Sequence, residues 1–184
     1  VYVVDQAEVW LLRLPPPDAA GEDLVASVVP VRLDDGSADF CFDPWILPGG
    51  RRVQWLAWSV PDMPWDHATV VPVDLADDVD AAEVVVGRQV IAAPEGAAVQ
   101  QPRATPDGRP VWLRDDHGHM NVWLGDEPLV EEPFEHGGPT WGLGQRSFAV
   151  SPDGLRIAFT RNEEGFGRLA VAPIPGEEIG RAHV

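Results

Sequence analysis

Apolar and polar residues alternate along this chain in runs of roughly four to eight, bounded by clusters of Pro, Gly, Asp and Asn, which is the pattern of short β-strands joined by tight turns. No stretch keeps apolar residues at i, i+3, i+4 and i+7 over three turns, so little or no helix is expected. Val73 to Val86 comes nearest to a helical pattern, but its Asp77, Asp78 and Asp80 read as a loop or a single turn.

The strand pattern repeats. Phe40 to Trp58 reads FCFDPWILPGGRRVQWLAW, Pro102 to Asp115 reads PRATPDGRPVWLRD, and Phe148 to Arg161 reads FAVSPDGLRIAFTR. Each is a strand, a reversal beginning at Pro48, Pro106 or Pro152, and a second strand. Pro presets φ at the second turn position and Gly accepts the positive φ that follows, so each reversal predicts a hairpin. The spacings of 58 and 46 residues lie near the roughly 40 to 50 of propeller blades, the first lengthened by an insertion.

Third strands are predicted at Thr69 to Leu75, Asn121 to Leu124 and Arg168 to Ile174, and fourth strands at Glu83 to Ala92 and Pro128 to Glu131. Ahead of them, Val1 to Asp5, Glu8 to Leu14 and Val25 to Arg32 supply strands of an earlier unit. Pro15-Pro16-Pro17 to Gly21 reads as a stiff surface connection within one domain. The expectation is an all-β partial β-propeller of about three to four four-stranded antiparallel blades. A blade remnant would occupy 1–37, full blades 38–98 and 99–146, and an incomplete blade 147–184.

Composition narrows the chemistry. Thirty acidic against 13 basic residues leave a formal net charge of −17, which repels nucleic-acid backbones and anionic membrane surfaces, so neither is expected as a partner. The single Cys41 has no disulfide partner and reads as a small core residue, which makes the cytoplasm the expected compartment. No run of 18 apolar residues and no signal-peptide pattern is present, and the opening on Val1 inside a strand reads as part of something longer.

Longer strings then carry a resemblance. Trp55-Leu56-Ala57-Trp58 followed by Pro61-Asp62-Met63-Pro64-Trp65-Asp66 is similar to a WxxWxxPxMPWD insertion. Gly137-Gly138-Pro139-Thr140-Trp141 with Gly144-Gln145-Arg146-Ser147-Phe148-Ala149 is similar to a GGPxW and GQRSFA segment. Together they resemble the propeller half of prolyl oligopeptidase family (S9) serine peptidases, of the acylaminoacyl and dipeptidyl peptidase kind. The sequence departs from the pattern at Pro48-Gly49-Gly50, which replaces Pro-Asp-Gly, and at Asp115 to His119, which replaces an aromatic hairpin tip.

The resemblance implies a propeller that caps an α/β-hydrolase domain and admits short peptides by size. None of Ser27, Ser37, Ser59, Ser147 and Ser151 lies in the G-x-S-x-G setting of a hydrolase nucleophile, so the chain carries no catalytic residue and the hydrolase domain is its absent partner. The resemblance also implies that glutamates near the GGP segment, of Glu131, Glu132 and Glu135 chiefly Glu132 and Glu135, hold the amino terminus of a peptide substrate. Trp65 and Trp141, in Pro- and Gly-rich loops, are candidates for lining the substrate path. Trp55, Trp112 and Trp123 fall in apolar strands and are expected to pack blade on blade.

His117 and His119 flank Gly118 at a hairpin tip without further ligands, so no metal is expected, and no nucleotide loop or other cofactor motif is present. Two consequences complete the expectation. A non-catalytic TolB-like propeller serving as a protein-interaction module is the alternative function, and open blade ends predict self-association.

Overall fold

The structure is a computed structural model that describes residues 2–4, 8–12, 30–78, 83–94, 96–139, 142 and 144–176. These residues form antiparallel sheets and no helix. The first sheet holds β1 (Tyr2–Val4), β2 (Glu8–Leu11) and β3 (Val31–Arg32) in that order. The second runs β4 (Phe40–Ile46), β5 (Arg52–Trp58), β6 (Thr69–Leu75), then β7 (Val85–Arg88) and β8 (Ile91–Ala92), both paired to β6. The third is β9 (Val99–Ala104), β10 (Pro110–Arg114), β11 (Asn121–Leu124) and β12 (Glu127–Val130) in sequential order. The fourth is β13 (Phe148–Val150), β14 (Arg156–Glu163) and β15 (Phe166–Pro173).

The repeated reversals fold alike because their chemistry is local. In one, Gly108 (φ 91°) donates to the Thr105 carbonyl at 2.9 Å while the Thr105 hydroxyl accepts from Arg109 N–H at 2.9 Å. In the next, Gly154 donates to the Ser151 carbonyl at 2.9 Å and Arg156 N–H to the Ser151 hydroxyl at 3.0 Å. A hydroxyl one residue before Pro-Asp-Gly thus caps both turns. Pro48-Gly49-Gly50 makes the corresponding reversal without it, through Gly50 N–H to the Leu47 carbonyl at 3.0 Å.

Residue parity assigns each strand face to a neighbouring sheet. On β5, Val53 and Trp55 pack with Val9 and Leu33 of the first unit, whereas Leu56 and Trp58 pack with Val99, Trp112 and Trp123 of the third sheet. On β10, Trp112 faces the second sheet while Val111 and Leu113 pack with Phe148, Ile157 and Phe159 of the fourth. The second and third sheets are therefore each sandwiched between their sequence neighbours, and the tryptophans expected to pack blade on blade do so. The fold is a partial β-propeller.

Several expected strands shift. The strand expected over Glu83 to Ala92 is broken into β7 and β8. Pro72 explains the break: its carbonyl accepts Gln89 N–H at 3.0 Å on that side of β6, and the N–H that would continue the ladder there is missing. The last strand starts at Phe166 rather than Arg168, because Glu164 (φ 53°) and Gly165 (φ 89°) form a two-residue hairpin loop. Of the strand expected over Glu8 to Leu14, β2 covers Glu8–Leu11, Arg13 and Leu14 lying outside the described residues, and β12 begins at Glu127. Residues 25–29 of the expected Val25 to Arg32 strand, Val1 and Asp5, and the Pro15 to Gly21 connection lie outside the described residues.

Candidate functional site

Hairpin ends alternate in an antiparallel meander, so the β5–β6 loop (59–68), the β10–β11 loop (115–120) and the β12–β13 link (131–147) emerge at the end opposite the Pro-initiated reversals. Hydrogen bonds join these loops. Asn162 N–H, where β14 enters its hairpin, donates to the Glu135 carbonyl at 2.9 Å, and Ala98 N–H donates to Asp115 Oδ1 at 2.5 Å. Of the expected substrate residues, Trp65, Glu132 and Glu135 lie at this end.

Glu132, just after β12, is held there from two sides. Arg161 Nη1 donates to both of its carboxylate oxygens, at 2.9 and 2.8 Å, and His136 Nε2 lies 3.4 Å away. The hydrogen bond it donates to Glu132 is the main reason the Arg161 guanidinium is held above its usual pKa. The His136 ring is buried against Phe159, and burial pushes its pKa below the ordinary value of 6.5, leaving the imidazole neutral.

Glu135 points elsewhere. Its Oε2 accepts Met120 N–H at 2.9 Å, which secures the start of β11. Glu131, exposed as Glu135 is, pairs with His117 at 2.9 Å. Glu131, Glu132, His117, His119 and Trp123 line a cavity of about 480 Å³. Thus Glu131 and Glu132 share one cavity with the two histidines, while Glu135 supports its wall.

Trp65 is half-buried in the 59–68 loop, which is pinned by Met63 N–H to Asp66 Oδ2 at 3.0 Å and Asp66 N–H to the Met63 carbonyl at 2.9 Å. Trp141 lies outside the described residues. Among the described residues, no group of three or more His, Cys, Asp and Glu side chains is placed to hold a metal ion, and His117 and His119 are not joined by a third ligand. No helix among them is long and apolar enough to cross a membrane.

A second cluster, on the first strands of the sheets, was not anticipated. Strands β4, β9 and β13 are the edge strands of consecutive sheets, yet they meet laterally, as expected where blades converge on an axis. Asp43 (φ 52°) in β4 and Gln101 (φ 50°) in β9 occupy the same repeat position, each just before a proline, and each lies where the strand register shifts. Left-handed φ in a residue that is not glycine is costly, and it turns each side chain toward the next sheet. Gln101 Oε1 accepts Ser147 N–H at 2.7 Å and its Nε2 donates to Ser147 Oγ at 3.0 Å. Asp43 accepts from Arg103 Nη2 at 2.7 Å and from Arg146 Nη1 at 3.4 Å, and both guanidiniums stack on Trp45, at 4.7 and 5.3 Å. The recurrence of Asp43-Pro44 and Gln101-Pro102 in phase with the repeat is the signal by which these residues could have been found.

No protein-family model matches the chain, and no curated protein matches it significantly. Solved structures do. Two crystal structures of puromycin hydrolase, one of a mutant complexed with PGG, superpose with a TM-score of 0.69 at 24% identity, covering 93% of this chain and 28% of theirs. A puromycin-hydrolyzing peptidase of Mycobacterium tuberculosis superposes with a TM-score of 0.69 at 27% identity, covering 91% of this chain and 27% of its own. The resemblance to the S9 peptidase propeller is borne out. This chain spans little more than a quarter of the length of those peptidases, so what it is similar to is one portion of them. In this partial propeller, the Glu132 cavity opens among the loops at one end of the blades, and the Asp43 cluster lies on their first strands.

Proposed function

We propose that this chain is propeller substance of a serine peptidase of the prolyl oligopeptidase family, gating the approach of short peptides and helping to hold their amino terminus. The carrying observation is the superposition with puromycin hydrolase over 93% of the chain. The partner is an α/β-hydrolase domain that supplies the nucleophile, and the propeller alone does not hydrolyse peptides. A cytoplasmic location belongs to the same proposal and rests on the unpaired Cys41.

Gating follows from packing. Blades that bury both faces on their neighbours form a rigid wall, so size selection needs no moving part. Within that wall, Glu132 is the carboxylate proposed for the ammonium, joined by Glu135 only through the oxygen that Met120 N–H does not hold, with Trp65 and Trp141 along the path. Because Arg161 already holds Glu132, an arriving ammonium shares that carboxylate, and the neighbouring Glu131 supplies the net negative charge.

The test is calorimetric titration of the chain with a tripeptide and with its amino-acetylated form. Tighter binding of the free amine by about tenfold or more, reduced in Glu132→Gln, supports the reading. Turnover of aminoacyl chromogenic substrates by the chain alone contradicts it.

A further inference from the structure

The Asp43 cluster carries more positive than negative charge. Two guanidiniums, Arg103 and Arg146, converge on the single carboxylate of Asp43, and among the described residues no other acidic group pairs with them. Their states differ. Arg103 is buried, its side chain 7% exposed, with Nη1 and Nη2 spent on the Pro102 carbonyl and Asp43, and its Nε without an acceptor. Arg146 is 39% exposed and, among the described residues, donates from Nη1 alone, to the Gln145 carbonyl and Asp43, with no partner there for its Nε and Nη2. Trp45, 38% exposed, forms the floor on which both guanidiniums lie.

A planar guanidinium stacked on an aromatic ring is held with its donor edge free, the arrangement that favours bidentate recognition of a carboxylate. The site is also conspicuous electrostatically. In a chain of net charge −17, an anion is repelled by most of the surface and finds local positive excess here. Its place on the first strands, where three sheets meet laterally, puts it on the inner wall rather than on the outer rim.

We propose that Arg146 and Arg103, laid on Trp45, form a carboxylate site that takes the carboxy-terminal end of a short peptide. This rests on the peptide-binding reading above and deepens it: the amino terminus goes to the loop-end glutamates and the free carboxylate to this inner-wall pair. The propeller then measures a peptide by both its ends and favours short unblocked ones over internal segments of a longer chain.

The experiment titrates the chain with a tripeptide bearing a free carboxylate and with its carboxy-terminal amide, both with free amino ends. The expected result is at least tenfold tighter binding of the acid. Arg146→Gln should remove that preference, lowering the affinity for the acid at least tenfold and that for the amide by clearly less, and Arg146→Lys should keep part of it. Arg146 is exposed enough for its removal to leave the fold intact, which an unchanged urea midpoint of the variant checks. Equal affinities for acid and amide overturn the carboxylate site and leave the peptide-binding reading standing. A preference that survives Arg146→Gln shows the carboxylate is read elsewhere and also overturns it. Binding of neither peptide sinks both.

Discussion

Asp43 of β4 and Arg103 of β9 meet at 2.7 Å across the boundary between the second and third sheets, with side chains only 8% and 7% exposed. Burial lowers the pKa of Arg103, while Asp43 opposes that effect. Asp43→Ala leaves the guanidinium buried with only Arg146, a like charge, beside it. A loss of about 3–5 kcal/mol in urea unfolding is expected. The pair Asp43→Asn with Arg103→Gln should cost clearly less than the sum of its members. A strictly additive cycle would show that the contact does not couple the sheets.

Gln101 makes the equivalent contact one boundary further on, with both its amide groups bound to Ser147. Gln101→Ala leaves Ser147 N–H without its acceptor in a buried site, and about 1–3 kcal/mol should be lost. Gln101→Gly relieves the positive φ of 50° and should be less damaging than the alanine variant. Thermal unfolding of the two variants side by side gives the order.

His136 imposes a pH dependence. Its folded pKa lies below 6.5, chiefly through burial, so the unfolded chain binds more protons as pH falls. The contribution is full above pH 6.5 and is lost progressively as pH drops below that value. Urea midpoints measured from pH 7.5 to 5 should therefore fall, and His136→Phe should flatten the decline. An unchanged slope in the variant would assign the decline to other groups.

Cys41 is buried at the first inter-sheet boundary, and burial pushes its thiol pKa up to about 11. A thiol reagent at pH 8 should leave it unmodified in the folded chain and label it at once in denaturant. Labelling at the folded state's own rapid rate would mean that this boundary opens locally.

Among the described residues, the fourth sheet is covered on one face only. Ile157 and Phe159 pack inward, while Ala158, Leu169 and Val171 lie on the other face, with Leu169 77% and Val171 64% exposed. Sheets elsewhere in the chain bury such faces on one another, so association through this one is the expected outcome. Sedimentation at rising concentration should show larger species, and Val171→Lys should reduce them without changing the unfolding midpoint.

Much of the fold was legible because its signals are local. The hydroxyl, Pro, Asp, Gly order at Thr105 and Ser151 specifies a reversal within five residues, and strands Thr69–Leu75 and Asn121–Leu124 fall where the alternation placed them. The break opposite Pro72 was not read, because it depends on which side of β6 the missing N–H faces. That side is decided by pairing.

The candidate sites divide in the same way. Alternation, turn chemistry and the repeat determined the strands, the tryptophan-lined boundaries and the position of Glu132 in a link between sheets. Only the folded chain decided that Glu132 is gripped by Arg161, 29 residues away, and that Asp43 reaches Arg103 and Arg146, 60 and 103 residues away. The reason is physical: a residue's backbone preference is set by its immediate neighbours, whereas the partner of a buried charge is whatever the packing of separate sheets carries to within about 3 Å.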